Sequence, residues 1–253
     1  MKIAVITGAS SGLGEEYLKC IVESSPDITE IWAIARRAER LEKLAETYKE
    51  KKIVPFPLDL TSYDSYNEFQ KKLEAEKPDI EILINNAGFG TLGNFDEQEL
   101  FSQTRMVDLN NRALTAITSA SLPYMSKGSF IINVCSIAAF APNPRMTVYC
   151  STKAYVYSFS KSLRFELKNR GINVLAVCPG PMDTEFLPVA GISKGASHTF
   201  DTLPRCNPQS VAQRSLKKAK AGKGKYTPRL FYKFYHLLSD ILPHSLVMHM
   251  SKT

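Results

Sequence analysis

No two of the five cysteines stand as a CxxC pair, and their odd number and scatter along the chain exclude a disulfide framework and offer no metal-ligand spacing. No apolar stretch of the signal-peptide kind precedes the first strand pattern, so a reduced, cytoplasmic protein without a metal site is expected. Long apolar runs are also missing. The best of them, Phe231 to Met250, is broken by Lys233, His236, Asp240, Pro243 and His244, short of the roughly 18 uninterrupted apolar residues that a membrane span needs. Acids are scarce at one end only. From Arg205 to Thr253, ten Lys or Arg face the single acid Asp240, so the net charge of +7 is a property of the tail. No nucleic-acid reading motif accompanies that charge, which argues against a nucleic-acid partner. There is no internal repeat and no low-complexity segment.

What is present is enough apolar residue, 44% of 253, to bury one large domain. Short β-branched runs alternate with helical spacing. Strands are expected at Lys2–Thr7, Glu30–Ile34, Ile53–Leu58, Ile80–Ile84, Ser129–Val134 and Ile172–Val177. Helices are expected at Glu15–Glu23, Ala38–Glu50, Tyr63–Ala75, Leu109–Met125 and Tyr149–Asn169. Strands separated by helices imply right-handed crossovers, and so a doubly wound α/β domain with a parallel sheet covered on both faces. The alternation stops after Val177. Residues 184–206 read as a substrate lid, since so long an insertion in a compact domain is more often functional. Residues 208–253 read as a basic, amphipathic helical tail, its first helix opened by Asn207-Pro208 and closed by Gly222 and Gly224.

Thr7-Gly8-Ala9-Ser10-Ser11-Gly12-Leu13-Gly14 lies between the first strand and the first helix. Glycines there allow a tight turn and let backbone N–H groups approach a pyrophosphate at the positive helix end. At the end of the second strand stand Ala35-Arg36-Arg37, with no acid to hold ribose hydroxyls and two guanidiniums suited to a 2′-phosphate; this favours NADP(H) over NAD(H). Tyr149 and Lys153 stand four apart at a helix start, which places them on one face, about 5–6 Å apart at Cβ. A cation beside a tyrosine draws its pKa from near 10 toward the working range.

The TGxxxGxG spacing, taken with later segments in order, resembles the short-chain dehydrogenase/reductase family over residues 1 to 190. Asp59-Leu60-Thr61 resembles its adenine-contacting turn, Asn85-Asn86-Ala87-Gly88 its NNAG turn, and Pro179-Gly180-Pro181-Met182-Asp183-Thr184 its nicotinamide turn. The resemblance implies a cofactor site of Gly8, Ser10, Ser11, Gly12, Leu13, Gly14, Arg36, Arg37, Asp59, Leu60, Asn86, Ala87, Gly88, Tyr149, Lys153, Pro179, Gly180, Met182 and Thr184. It implies a catalytic set in which Ser136 polarises the substrate oxygen, Tyr149 gives it a proton, Lys153 holds the nicotinamide ribose, and Asn110 supports the lysine through water, with Asn111 a neighbouring candidate for that role. Cys135 and Cys150 stand where the family often has other small residues, and read as packing groups.

The expected reaction moves a hydride between nicotinamide and a carbonyl or alcohol substrate. Two alternatives stay open: a non-catalytic regulator that senses NADP(H), and a reductase of lipid-like carbonyls at a membrane surface. Phe231, Phe234, Tyr235, Leu238, Ile241 and Leu242 form an apolar helix face with Lys217, Lys218, Lys220, Lys223, Lys225, Arg229 and Lys233 before or beside it. That face packs on the domain, on a second subunit of a homodimer or homotetramer, or on a membrane.

Overall fold

The computed structural model describes residues 1–192, 195 and 198–250; the remaining residues of the expected lid and the last three of the tail lie outside the described residues. The chain runs β1 (Lys2–Thr7), α1 (Gly12–Ser24), β2 (Glu30–Ala35), α2 (Ala38–Thr47), β3 (Lys52–Pro57), α3 (Tyr63–Glu76), β4 (Asp79–Asn85), α4 (Leu100–Val107), α5 (Leu114–Ser121), β5 (Phe130–Val134), α6 (Thr147–Glu166) and β6 (Asn173–Val177). After these come α7 (Phe186–Val189), α8 (His198–Thr202), α9 (Pro208–Lys220), β7 (Lys225–Tyr226), α10 (Leu230–Ile241) and α11 (His244–Met250). The strands form one parallel sheet in the order β3-β2-β1-β4-β5-β6-β7.

The sheet is buried on both faces, and alternation along each strand divides its residues between two cores. In β1, Ala4 and Ile6 join one cluster with α1 and α9, while Ile3 and Val5 join the other with α3 and α5. Helix α1 buries Leu13, Tyr17, Leu18 and Ile21, and the Tyr17 hydroxyl pairs with Ser215 Oγ of α9 at 2.7 Å. The connection from β3 to β4 crosses back over β2 and β1 and reverses the winding direction between β1 and β4, so a crevice opens at the C-terminal strand ends, where open α/β sheets bind ligands.

Three elements depart from the sequence reading. The fourth crossover helix starts at Leu100, nine residues before the expected Leu109, because Glu99 caps it by accepting from Phe101 N and Ser102 N at 3.0 and 2.6 Å. Its first turn exposes Leu100 and Phe101, which hid the amphipathic period. Between α4 and α5, Asp108–Ala113 forms a π-helical turn that was not anticipated. The seventh strand was also missed: its two residues carry no alternation, and it is set by Ala176 N donating to Gly224 O and Cys178 N to Tyr226 O.

The tail is not one basic, apolar unit. The lysine-rich end of α9 lies at the N-terminal end of β6, where Asn173 Nδ2 donates to Ala219 O and Lys223 O. Helix α10 instead crosses the crevice at the opposite end, with Tyr232 wholly buried and Leu230, Leu237 and Ile241 exposed along its outer side. No helix among the described residues is long and apolar enough to cross a membrane.

Candidate active site

A cavity of about 970 Å³ runs along the C-terminal strand ends, and the expected site residues other than Gly14 and Asn110 line it. At its base is the turn after β1. Ser11 stands in extended conformation at the N-cap of α1 but makes no capping bond, so the first N–H groups of the helix are left for an anion. Gly8 takes a left-handed φ of +68°, and a Cβ on Gly14 would lie 2.1 Å from Gly8 O, so the turn and the helix meet too closely for any side chain. The turn after β4 braces this cradle: Thr7 Oγ1 accepts from Asn86 N and Ala87 N at 3.0 Å each, and Asn86 Nδ2 donates to Thr7 O and Gly8 O at 3.1 Å. Asn86 thus holds the loop, and Thr7, absent from the sequence-derived set, is its anchor.

At the adenosine end of the crevice, guanidiniums gather. Arg37 donates to Ser10 Oγ and Ser11 Oγ across the turn, at 3.0 and 2.8 Å from Nη2. Arg36 and Arg105 lie near Asp59, whose carboxyl is held below the usual carboxylate range: burial opposes this, but the Thr61 N–H and hydroxyl and both arginines outweigh it. Leu60 is buried behind this turn. The donor set fits a dinucleotide, with a helix N-terminus and glycine cradle for the pyrophosphate. Pro179, Gly180, Met182 and Thr184 line the opposite wall, with Gly180 pressed under the Tyr232 ring of α10 so closely that a Cβ there would lie 2.2 Å from Cε2.

The residues expected to be catalytic come from three elements that meet over this crevice. Ser136 follows β5 in extended backbone, its Oγ accepting from Ala138 N at 3.1 Å, and lies beside Tyr149 of α6. Lys153, one turn after Tyr149, lies with Nζ 5.7 Å from the tyrosine ring centroid and donates to Val134 O at 3.0 Å. All three are buried. Burial pushes the Tyr149 phenol well above its ordinary value, against the opposing effect of Ser136, and burial likewise lowers Lys153.

Asn110 sits in the π-helical turn, almost fully buried. Its Oδ1 accepts from Phe89 N, and its Nδ2 donates to Phe89 O and to Thr152 Oγ1. Asn111 instead donates to Thr152 O. Gly88 lies between Asn110 and Lys153, where a Cβ would come within 2.8 Å of Asn110 Oδ1 and 3.5 Å of Lys153 Nζ. A buried ladder, Asn85 Nδ2 to Asn133 Oδ1 and Asn133 Nδ2 to Ser160 Oγ, ties β4, β5 and α6 together beneath the site. Cys135 is more than packing, since its Sγ donates to Lys153 O at 3.1 Å, whereas Cys150 is buried with its thiol pushed up to about 11.

Beyond Tyr149 the walls are apolar. Phe186 lies 5.6 Å from the Tyr149 ring, and Met146, Leu187, Phe200, Phe231, Phe234 and Leu238 complete the enclosure. Asn143 Oδ1 is the exception, a buried acceptor without a partner in the lining. The α10 residues were placed on a helix face by sequence, but nothing in their spacing located that face over the crevice. Glu185, which bridges Arg37 and Arg40, was also missed.

Residues 2–191 match the family described as short chain dehydrogenase. A short chain dehydrogenase of Pseudocercospora fijiensis is 32% identical over 204 residues, which span 78% of this chain and 65% of that protein. Among solved structures, a short-chain dehydrogenase of Sphingobium yanoikuyae in complex with NADPH is 29% identical, with a TM-score of 0.79, covering 96% of this chain and 97% of the other. The bulky-bulky ketone specific alcohol dehydrogenase of Comamonas testosteroni is 28% identical, with a TM-score of 0.75, covering 100% and 95%. Structures of this fold are recorded with NADPH or NADP+ and also with NADH or NAD.

Proposed function

Since this chain belongs to the short chain dehydrogenase family, we propose that it is an NADP(H)-dependent oxidoreductase interconverting a bulky apolar carbonyl compound and its alcohol. The observation that carries this reading is the meeting of Ser136, Tyr149 and Lys153 at the boundary between a phosphate-binding crevice and an apolar chamber. A bound nicotinamide supplies the hydride. The protein's part is geometry and proton handling. Ser136 Oγ donates a hydrogen bond to the substrate oxygen, and the Tyr149 phenol gives that oxygen its proton in reduction and takes it back in oxidation. Lys153 positions the ribose and stabilises the tyrosinate left behind. Asn110 acts as a positioning group, pinning Phe89 and Thr152 on either side of the Gly88 approach. The complete proton-donating set favours an enzyme over a non-catalytic sensor. Residues 184–206 act as the lid of a single domain, and five free, buried thiols accord with a reducing, cytoplasmic setting. The exposed stripe on α10 is a candidate contact for a homodimer or homotetramer, or for a membrane surface.

Two experiments test this. A thermal-shift titration with NADPH and NADH needs no substrate, because a ligand that binds only the native state raises its stability in proportion to affinity. The larger shift is expected with NADPH; a larger NADH shift would reject the cofactor preference, and no shift with either would reject the oxidoreductase reading. The second is a pH profile. Burial raises Tyr149, so the acid form persists through neutral pH, and kcat/KM for carbonyl reduction is expected to stay level from about pH 6 to about pH 8 and to fall only on the alkaline side. Alcohol oxidation, which needs the tyrosinate, should climb with pH over the same interval. A reduction rate that falls between those limits would remove Tyr149 as the proton donor.

A further inference from the structure

The carboxylate of Glu185 lies in the crevice wall immediately after Thr184, and it is bound twice: Arg37 Nη1 donates to Oε2 at 2.8 Å and Arg40 Nη1 to Oε1 at 2.6 Å. Arg37 is the same guanidinium that reaches Ser10 and Ser11 on the phosphate turn. A monoanion from the segment after β6 is therefore held on Arg37, one of the two cations that the sequence assigns to a ribose phosphate, and on Arg40. Both arginines keep the Glu185 carboxyl ionised, with a pKa near 2. A phosphate brought to Arg37 meets a like charge at hydrogen-bond distance from the same group, and two anions cannot share it without cost.

We propose that Glu185 is a displaceable occupant of the 2′-phosphate subsite, so that NADP(H) must unlatch Glu185 from Arg37 and Arg40 while NAD(H) leaves it in place. This rests on the NADP(H) reading given above and adds to it a residue that sets cofactor discrimination. Glu185 precedes Phe186, whose ring lies 5.6 Å from that of Tyr149 and caps the apolar chamber. Release of Glu185 thus frees α7, and entry of the phosphorylated cofactor is coupled to movement of the substrate wall. The ion pairs are roughly half exposed, with side-chain exposures of 43% and 46% for the arginines and 47% for Glu185, so the latch is weak enough for a dianion to open.

The test is binding, read by fluorescence titration of NADPH and NADH against the full chain and the variants Glu185→Gln and Arg37→Ala. Glu185→Gln keeps the side-chain shape and removes the competing charge. It is expected to tighten NADPH by about three- to tenfold and to leave NADH within about twofold. Hydrogen exchange of residues 185–192 in the unsubstituted chain should rise on adding NADPH and not on adding NADH. Unchanged or weaker NADPH binding by Glu185→Gln overturns the proposal. Arg37→Ala separates the two failures. If it erases the NADPH preference while Glu185→Gln does nothing, displacement alone is wrong. If it leaves the preference untouched, the phosphate subsite is not at Arg37 and both readings fall.

Discussion

Replacing Tyr149 with Phe is expected to lower turnover by about 10²–10⁴-fold while leaving NADPH affinity within about twofold. The substitution deletes one oxygen from a side chain whose ring is locked between Gly90, where a Cβ would lie 2.8 Å from Tyr149 Cδ2, and Phe186. The ring therefore stays in place and the cavity keeps its shape. What is lost is the proton donor beside Ser136. Single-turnover reduction of an apolar ketone alongside cofactor titration checks both halves. Turnover within a few-fold of the unsubstituted protein would mean that the proton comes from elsewhere, and a parallel loss of cofactor binding would mean that the variant had disturbed the fold instead of the chemistry.

Gly14→Ala should have the second large effect, on binding and stability together. A methyl group at this position would lie 2.1 Å from Gly8 O and 2.6 Å from Asn86 Nδ2, and neither can retreat: Gly8 N is bonded to Ile34 O at 2.8 Å, and Asn86 bridges Thr7 O and Gly8 O. Overpacking of this sort costs about 1–3 kcal/mol. At roughly 2–4 °C per kcal/mol for a chain near this size, the midpoint of unfolding should drop by several degrees. More telling is the loss of ligand response, because the displaced turn is the pyrophosphate cradle: added NADPH should no longer raise the midpoint. A variant that melts early but still gains the full NADPH shift would show that the cradle tolerates a side chain and that the pyrophosphate lies elsewhere.

Much of this site could be read in the sequence because its parts are local. The sheet strands announced themselves through runs such as Lys2–Thr7 and Glu30–Ala35, in which burial on both faces demands continuous apolar character. Tyr149 and Lys153 share a helix, so their spacing fixes their relation. Ser136 was placed by the end of a strand. Relations across long stretches of chain were not legible in the same way. Glu185 meets Arg37 across 148 residues, and no periodicity joins them. Thr7 looked like the last residue of a strand, and only the fold brings two backbone N–H groups of the turn after β4 to its hydroxyl. The π-helical turn at Asp108–Ala113 has no period of its own, which is why Asn110 and Asn111 could be named but not distinguished by direction. The tail lysines were assigned to the border of an apolar face because they are close to it in sequence; β7 and its loop carry α9's end and α10 to different ends of the sheet.

Tyr232 anchors α10 by filling the space beside Gly180 and donating to Pro204 O at 2.6 Å. The roof of the chamber is thus bolted to the turn after β6, yet it belongs to a stretch of chain beyond residues 2–191, which match the family. The enclosure is therefore shared between two stretches of the polypeptide: Met146, Phe186 and Leu187 come from the matched portion, and Phe231 and Leu238 from a helix that an aromatic ring set over a glycine holds in place.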